Sequence, residues 1–434
     1  MTAMTTVPST GAGRCCEEYA RATELSRRRF LGGMAAAGAT GVATSLFGQA
    51  VRQASFGATT GGNVLVVLSF RGGIDGLGMV VPHGDPAYYA ARPTIAVPKN
   101  QLVAQDAMFG LHPELAPLQW LWDAGELAAV HAVGMDAPNR SHFMAMDLVE
   151  DAAPGSSLRQ GWVNRMVGLD GDGGAEEAVH LGSSTPPTLV EGPVPTLATA
   201  SLKDIRLVGT DNGWAARRTA QLQTTWGATA SPLGVAARSA LGTVDRLNGV
   251  ATQGYTPSVA YPTEWPAPDL AEALRDSAQL IKADLGAEVI SVDFGSWDMH
   301  DNYGTLAWGE MQTMTRAFAD SVDAFMRDLG PLRSKVTVVT ISEFGRRVAE
   351  NGNRGLDHGW GNMMLVMGGG VRGGSYYGSW PGLGSGSLVE GDLKVTTDYR
   401  QVLGEVVHRR FPDKDVSQVF PGLPYNPLGV LAPS

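Results

Sequence analysis

Short apolar runs that alternate with amphipathic segments constrain the fold of this chain more than any other feature. Residues 63–70, NVLVVLSF, form a nearly continuous apolar run, and similar runs occupy residues 127–133, 287–294, 335–341 and 363–367. A strand that is buried on both faces of a sheet is apolar throughout its length. The five runs therefore predict the strands of a buried parallel sheet.

The segments between these runs repeat apolar residues at helical spacing. They predict helices over residues 113–127, from Ser141 to about Glu150, and over 268–285, 309–329 and 398–410, the last capped by Thr397. Strands that alternate with helices predict an α/β fold with helices on both faces of the sheet. Residues 172–265 are rich in Gly, Thr, Pro and Ala and show weak periodicity. We expect this stretch to be an inserted cap or irregular region within a domain spanning residues 55–434.

The N-terminus carries an export pattern. Residues 26–31 read Ser-Arg-Arg-Arg-Phe-Leu, a weakly apolar segment runs from Gly32 to Gly48, and small residues suited to cleavage follow at Ala50 and Ala54. This pattern predicts a twin-arginine signal peptide over residues 1–54. The protein is then a substrate of the twin-arginine translocation machinery and reaches the periplasm, the cell envelope or the extracellular space. No stretch after residue 50 has the apolar length of a stable membrane span.

The composition of the chain limits the classes of function and the residue types that could bind a metal. The 44% hydrophobic content excludes disorder as the dominant state, and the net charge of −10 argues against a nucleic-acid binder, which needs a basic face. The two cysteines, Cys15 and Cys16, lie inside the predicted signal peptide. Any metal in the mature protein must therefore be bound by Asp, Glu and His.

Polar side chains follow the predicted strands at several points. They are Asp75 after the first strand, Asp298 and His300 after the strand at 287–294, Glu343 after the strand at 335–341, and Asp357 and His358 just before the strand at 363–367. Ligands of open α/β sheets bind beyond the carboxyl ends of the strands. Oxygen and nitrogen donors suit Zn, Mn, Mg or Ca. We therefore expect these six residues to converge on a divalent metal.

Each of these residues also has a purely structural explanation. Asp75 precedes Gly76 and resembles a turn residue, Asp298 and His300 fit a surface loop, and Glu343 fits an ion pair with Arg346 or Arg347. Asp357 and His358 fit an ordinary loop. Their joint placement at strand ends favours the metal site. The histidines at 83, 112, 131, 180 and 408 have no such context and are expected to be structural.

Ser141 is the candidate nucleophile because it follows a strand and opens a helix. The free N–H groups and the dipole of a helix N-terminus can bind an anion and lower the pKa of a hydroxyl. The alternative is a simple helix cap, a role in which serine is common. His142 is adjacent, but neighbouring residues on a helix do not face the same way, which argues against His142 as the base for Ser141.

Six motifs carry a family resemblance. In chain order they are RGGIDGL, NRSHFMAMD, GSWDMHDN, SEFGRR, GLDHGWGN and MGGGVRGG. This combination resembles the DUF1501 family of exported bacterial proteins, which is related to the alkaline phosphatase and sulfatase superfamily. The resemblance covers nearly the whole mature chain and implies a three-layer α/β/α sandwich with a two-metal site.

The resemblance also implies roles for individual residues. Asp75 is similar to the metal ligand after the first strand, and Ser141 takes the place of the nucleophile. Asp298 and His300 resemble a ligand pair, and His358 resembles the last histidine ligand. Glu343 stands where an Asp-His pair is usual, and the next residue is Phe344, so one histidine is missing. Either Asp357 compensates or the site holds a single ion.

Two functions follow as expectations. The first is a metal-dependent hydrolase of phosphate or sulfate esters, in which metal activates Ser141 and Arg71, Arg140 or Arg346 neutralises the transferring group. Its substrate is a small anionic ester or an envelope glycan. The second is a non-catalytic metal-binding protein that binds an envelope component or a partner. The missing histidine favours the second, and the context of Ser141 favours the first.

Overall fold

The computed structural model describes residues 62–157, 159–170, 175–207, 213–228, 232–252 and 254–433. The predicted signal peptide lies outside the described residues. A nine-stranded sheet occupies the centre, with strands β1 (Val64–Arg71), β4 (Leu127–Gly134), β5 (Ala178–Leu181), β6 (Leu197–Thr199), β7 (Val289–Gly295), β8 (Val336–Ser342), β9 (Asn362–Gly368), β10 (Ser375–Tyr377) and β11 (Thr397–Asp398). Strands β2 (Val80–Val81) and β3 (Gly110–Leu111) form a small antiparallel sheet.

The strand order is β10-β4-β9-β8-β1-β7-β5-β6, and β11 also pairs with β4. All pairings in this sheet are parallel except those that β9 makes with β4 and β8. The predicted α/β class with a mostly parallel sheet is therefore confirmed. Because β9 alone runs in the opposite direction, its start lies at the edge where its parallel neighbours end.

The described helices are α1 (Gly76–Met79), α2 (Pro86–Ala91), α3 (Gln119–Asp123), α4 (His142–Asp151), α5 (Trp162–Val167), α6 (Ala215–Trp226), α7 (Pro232–Thr252), α8 (Pro268–Ala283), α9 (Glu310–Leu329), α10 (Tyr399–Arg410) and α11 (Val416–Val419). The segment predicted as one helix over 113–127 is a 3₁₀ turn, Pro113–Leu118, followed by α3. The cap of α10 is Asp398, whose side chain accepts a hydrogen bond from the Arg400 N–H, and not Thr397 as predicted.

Two apolar cores lie on opposite faces of the sheet. Alternate residues of β1 enter different cores: Val66 and Leu68 pack with α8 and α9, whereas Leu65 and Val67 pack with α4, α5 and α10. Since successive side chains of a strand point to opposite faces, a strand that is apolar throughout needs a helical layer on each side. The result is a three-layer α/β/α sandwich.

The stretch 172–265 differs from its prediction as an irregular insertion. It contains β5, β6, α6 and α7, and β5 pairs in parallel with β7. Its first part therefore extends the central sheet. The strands were missed because β5 and β6 have only four and three residues, too few to show a periodic pattern.

No helix in the described ranges is long and apolar enough to cross a membrane.

A candidate metal centre at the carboxyl edge of the sheet

Three histidines meet beyond the carboxyl edge of the sheet. His142 is the first residue of α4, His300 follows β7, and His358 lies in the loop between β8 and β9. The Nε2 atom of His358 is 3.0 Å from Nε2 of His142 and 3.0 Å from Nε2 of His300. The Nε2 atoms of His142 and His300 therefore both face Nε2 of His358.

Asp298 supplies an oxygen at that point. Its Oδ1 lies 3.0 Å from Nε2 of His300 and 3.2 Å from Nε2 of His358, and its Oδ2 lies 3.4 Å from Nε2 of His142. One ligand atom each from His142, Asp298 and His358 fit within 4.8 Å of one another. These four side chains, which we call the His-Asp cluster, are 22–44% exposed, so the cluster is accessible to solvent.

The other ring nitrogen of each histidine faces an oxygen acceptor. Nδ1 of His142 lies 2.9 Å from Glu343 Oε1, Nδ1 of His300 lies 2.9 Å from Asp357 Oδ1, and Nδ1 of His358 lies 2.9 Å from the carbonyl oxygen of Arg140. These oxygens can only accept, so each Nδ1 carries the proton when the ring is neutral. The lone pairs on Nε2 then point into the cluster, as a metal site requires.

Glu343 and Asp357, both predicted as ligands, lie behind the histidines. The Glu343 carboxylate is buried, and its Oε1 also accepts the N–H of Gly72 at 2.8 Å. Asp357 also accepts from Asn351, and the bonds from His300 and Asn351 lower the pKa of the Asp357 carboxyl. Both carboxylates fix the orientation and tautomer of a histidine.

Asp75 lies away from the cluster in a buried ion pair. The Arg92 guanidinium donates to both of its oxygens, at 2.6 and 2.9 Å, and the Tyr303 hydroxyl donates to Oδ2 at 2.6 Å. Arg92 and Asp75 are 0% and 4% exposed. The structure therefore places the Asp75 carboxylate with Arg92 and Tyr303, and not with the His-Asp cluster.

Arg346 holds Asp298 in place. Its Nη2 donates to Asp298 Oδ1 at 2.6 Å, and its remaining donors reach backbone carbonyls, including that of Leu356 at 2.9 Å. Burial opposes ionisation of Asp298, but Arg346, His358 and His300 together outweigh it and lower the pKa of the carboxyl. Arg346 is 2% exposed, so it positions a ligand and is not available to a substrate.

The other two predicted arginines are also paired. Arg71 lies between Glu150 and Asp293, with distances from Nη2 of 2.6 and 2.9 Å. Burial opposes the charge on Arg71, yet these two carboxylates raise its pKa above the usual value. The Arg140 side chain pairs with Asp392, and the backbone carbonyl oxygen of Arg140 accepts a hydrogen bond from Nδ1–H of His358.

Ser141 occupies the N-cap position of α4, directly before His142. Among the described residues its side chain makes no capping hydrogen bond, and the residue is exposed. The backbone N–H of Ser141 donates instead to Asn139 Oδ1 at 3.0 Å. The hydroxyl is therefore not used as the cap that the alternative interpretation required.

His142 is the residue that sequence reasoning missed. It was set aside because neighbouring residues on a helix do not face the same way. In the structure its ring faces His358 and Glu343. The same strand-end rule that selected Ser141 after β4 applies equally to His142. Phe344, which stands where the superfamily pattern has a histidine, packs against the rings of His142 and His358 at centroid distances of 4.9 and 4.7 Å.

A glycine brings the first strand close to this site. Gly72 has φ of +109°, and a Cβ there would lie 2.7 Å from the backbone nitrogens of Trp297 and Asp298. A larger residue would clash with the segment that carries Asp298 and would be strained at this φ. The first motif therefore supports the site through its backbone.

One family model matches part of the chain. Residues 278–416 match the DUF1501 family model. This family is described as a protein of unknown function. The match covers less than half of the chain; it includes Asp298, His300 and His358 but leaves out His142 and the motifs RGGIDGL and NRSHFMAMD. No curated protein matches the chain.

Solved structures show a distant likeness. The C-terminal periplasmic domain of EcEptC from Escherichia coli, in complex with Zn, has 10% identity and a TM-score of 0.32, over 73% of this chain and 76% of that chain. The PsFucS1 sulfatase from Pseudoalteromonas sp. has 14% identity and a TM-score of 0.33, over 92% and 75%. Alkaline phosphatase from the Antarctic bacterium TAB5 has 9% identity and a TM-score of 0.30, over 72% and 94%. Since these scores are low, we infer the function from the chain's own residues.

Proposed function

We propose that this protein is a metal-dependent hydrolase of phosphate or sulfate esters. The observation that carries the proposal is the convergence of the imidazoles of His142 and His358 with the Asp298 carboxylate beside an open cleft. Imidazole and carboxylate donors that leave room for a substrate are typical of catalytic metal sites. We also propose, from the N-terminal sequence, that the protein is exported by the twin-arginine route and acts in the periplasm, the cell envelope or outside the cell.

The donor set fits one zinc-like ion. Ligand atoms about 2.05 Å from a tetrahedral metal lie roughly 3.4 Å apart, and the ligand atoms of His142, Asp298 and His358 lie 3.0 to 3.4 Å from one another. Imidazole nitrogen suits Zn, whereas Mg and Ca prefer sites made of oxygen. Of the four metals considered, zinc is therefore favoured. His142, Asp298 and His358 would hold it, and His300 would lie beside them, with its Nε2 3.0 Å from Asp298 Oδ1 and 3.0 Å from His358 Nε2.

The protein supplies orientation and the metal supplies Lewis acidity to a phosphoryl or sulfuryl group. Glu343 orients His142, Asp357 orients His300, and Arg346 fixes Asp298. These contacts hold the donors in place before a substrate arrives, which is how a preorganised site lowers a reaction barrier.

Ser141 is the proposed nucleophile. Its exposed hydroxyl opens the helix whose next residue belongs to the cluster. Its oxygen forms a bond to phosphorus or sulfur while the bond to the ester's alcohol oxygen breaks. The serine proton passes to solvent, and the alcohol leaves with the electron pair and takes up a proton. Water then releases the acid and restores the serine hydroxyl.

One observation favours the second function, a non-catalytic metal-binding protein that binds an envelope component. The charges of Arg71, Arg140 and Arg346 are each matched by a carboxylate. An esterase acting on phosphate or sulfate usually offers unpaired positive charge to the transferring group. Because these three arginines are paired, the metal would have to provide that charge.

Substitution of Ser141 separates the two functions. Ser141→Ala should lower hydrolysis of 4-nitrophenyl phosphate or sulfate by several orders of magnitude, with metal content unchanged. Ser334→Ala is the control, because Ser334 is exposed and lies outside the cleft lining, and this variant should keep its activity. Full activity in Ser141→Ala would exclude the serine as nucleophile. A metal-loaded wild type that hydrolyses none of these esters would support the binding protein.

A further inference from the structure

A cleft of about 610 Å³ opens beside the His-Asp cluster. His142, Asp298 and Glu343 contribute to its lining, so it is continuous with the proposed metal centre. Helix α4 forms one side, and the segment around Pro186 and Pro187 forms the other. A cavity of this size accommodates a small organic molecule.

Part of this lining is apolar. It consists of Phe143, Met146, Pro186 and Pro187. The Phe143 side chain is 89% exposed, although it lies next to a residue of the cluster. The exposed phenyl ring therefore offers apolar surface that a ligand in the cleft could cover.

Two hydrogen bonds tie the walls together. The Thr188 hydroxyl donates to Asp147 Oδ1 at 3.1 Å, and the Leu189 N–H donates to Glu150 Oε2 at 3.3 Å. Asp147 and Glu150 belong to α4. The spacing between the apolar surfaces is therefore fixed by the fold, and a ligand finds them already in position.

The charges around the cleft disfavour a second anionic group on the ligand. The described lining contains four acidic side chains, Asp147, Glu150, Asp298 and Glu343, and one guanidinium, from Arg71. Asp147 and Asp298 are paired with Arg159 and Arg346, which lie outside the lining. Arg71 already contacts both Glu150 and Asp293. Beyond the metal, the lining offers no surplus positive charge to a further phosphate, sulfate or carboxylate.

We infer that this cleft binds the alcohol part of the ester, and that this part is uncharged and apolar, an aryl or alkyl group. The inference rests on the proposed function for the acid group, which the metal centre holds. It disfavours nucleotides and polyanionic glycans, since both would bring further charge or polar surface against Phe143 and the carboxylates.

Two sulfonates that the protein cannot hydrolyse test the inference by titration calorimetry on the zinc-loaded protein. They are 3-phenylpropane-1-sulfonate and isethionate, which share one negative charge and differ in their apolar group. Covering roughly 60 Å² of apolar surface corresponds to about tenfold tighter binding. We therefore expect the phenyl compound to bind at least about tenfold tighter.

Variants at Phe143 locate the effect. Phe143→Ser should reduce the ratio of the two dissociation constants to about threefold or less, and Phe143→Leu should restore most of it. Trp265→Ser is the control, because Trp265 is 78% exposed and is not part of the cleft lining. Both exposed positions should tolerate substitution, and thermal melting verifies that each variant is folded.

The outcomes separate this inference from the proposed function. Equal affinity of the wild type for the two sulfonates, or an unchanged ratio in Phe143→Ser, overturns the apolar subsite even if zinc binds. If the protein binds no metal but still prefers the phenyl compound, the apolar subsite is supported and the proposed hydrolase is refuted.

Discussion

Glu343 offers the sharpest test of the metal centre, because it acts through one histidine. Its Oε1 accepts Nδ1–H of His142 at 2.9 Å and the N–H of Gly72 at 2.8 Å. In Glu343→Gln the amide oxygen can accept both bonds, so the shape of the site is kept and the negative charge is lost. In Glu343→Ala both bonds are lost, and His142 is free to rotate or to change tautomer.

The expected loss of metal affinity follows from this geometry. Loss of a carboxylate that orients a ligating histidine typically lowers metal affinity about 10–100-fold, or about 1.4–2.8 kcal/mol. Glu343→Gln should lower zinc affinity by an amount near the lower end of this range, and Glu343→Ala by an amount near or beyond the upper end. The buried position of Glu343 (4% exposed) also predicts lower thermal stability for the alanine variant.

Competition with a chromophoric zinc chelator measures the dissociation constants. Glu405→Gln is the matched control, because Glu405 is 0% exposed and accepts the N–H groups of Leu428 and Leu431 far from the cluster. That variant should lose stability and keep its zinc affinity. Wild-type zinc affinity in folded Glu343→Ala would refute the reasoning, since His142 would then not depend on its partner or would not bind zinc.

Three further predictions concern other parts of the molecule. Asp75→Asn should lower the free energy of unfolding by about 3–5 kcal/mol, because it leaves the buried Arg92 charge uncompensated. Its zinc content, measured by atomic emission, should stay at the wild-type level. Loss of zinc in this variant would show that Asp75 is a metal ligand. Burial, partly offset by Arg71, raises the pKa of Glu150 to about 7. The folded state therefore holds a proton that the unfolded state releases near pH 4.5, and stability should fall as the pH rises from about 4.5 to 7, by up to about 3 kcal/mol. Glu150→Gln should flatten that part of the curve of melting temperature against pH, and an unchanged curve would contradict the assignment. Replacement of Arg27 and Arg28 by lysine should retain the precursor in the cytoplasm, as seen by cell fractionation, whereas normal export of that variant would exclude the twin-arginine route.

The sequence alone determined the architecture to a large extent. Strands β1, β4, β7, β8 and β9 lie within two residues of their predicted bounds at each end, because a long apolar run can only be buried between two layers. The strand-end rule also selected Asp298, His300 and His358, which meet in the structure. Hydrophobic periodicity is a local property, so it can be read along the chain.

Only the tertiary structure decided which polar side chains meet. Glu343 and His358 contact His142 across 201 and 216 residues of sequence, and the reversed direction of β9 brings His358 to the edge where β7 and β8 end. Asp75 obeys the same strand-end rule, yet Arg92 removes it from the site by a buried ion pair. A strand-end position gives a side chain access to the edge of the sheet, but its partner there is set by packing among distant segments, which no local pattern encodes.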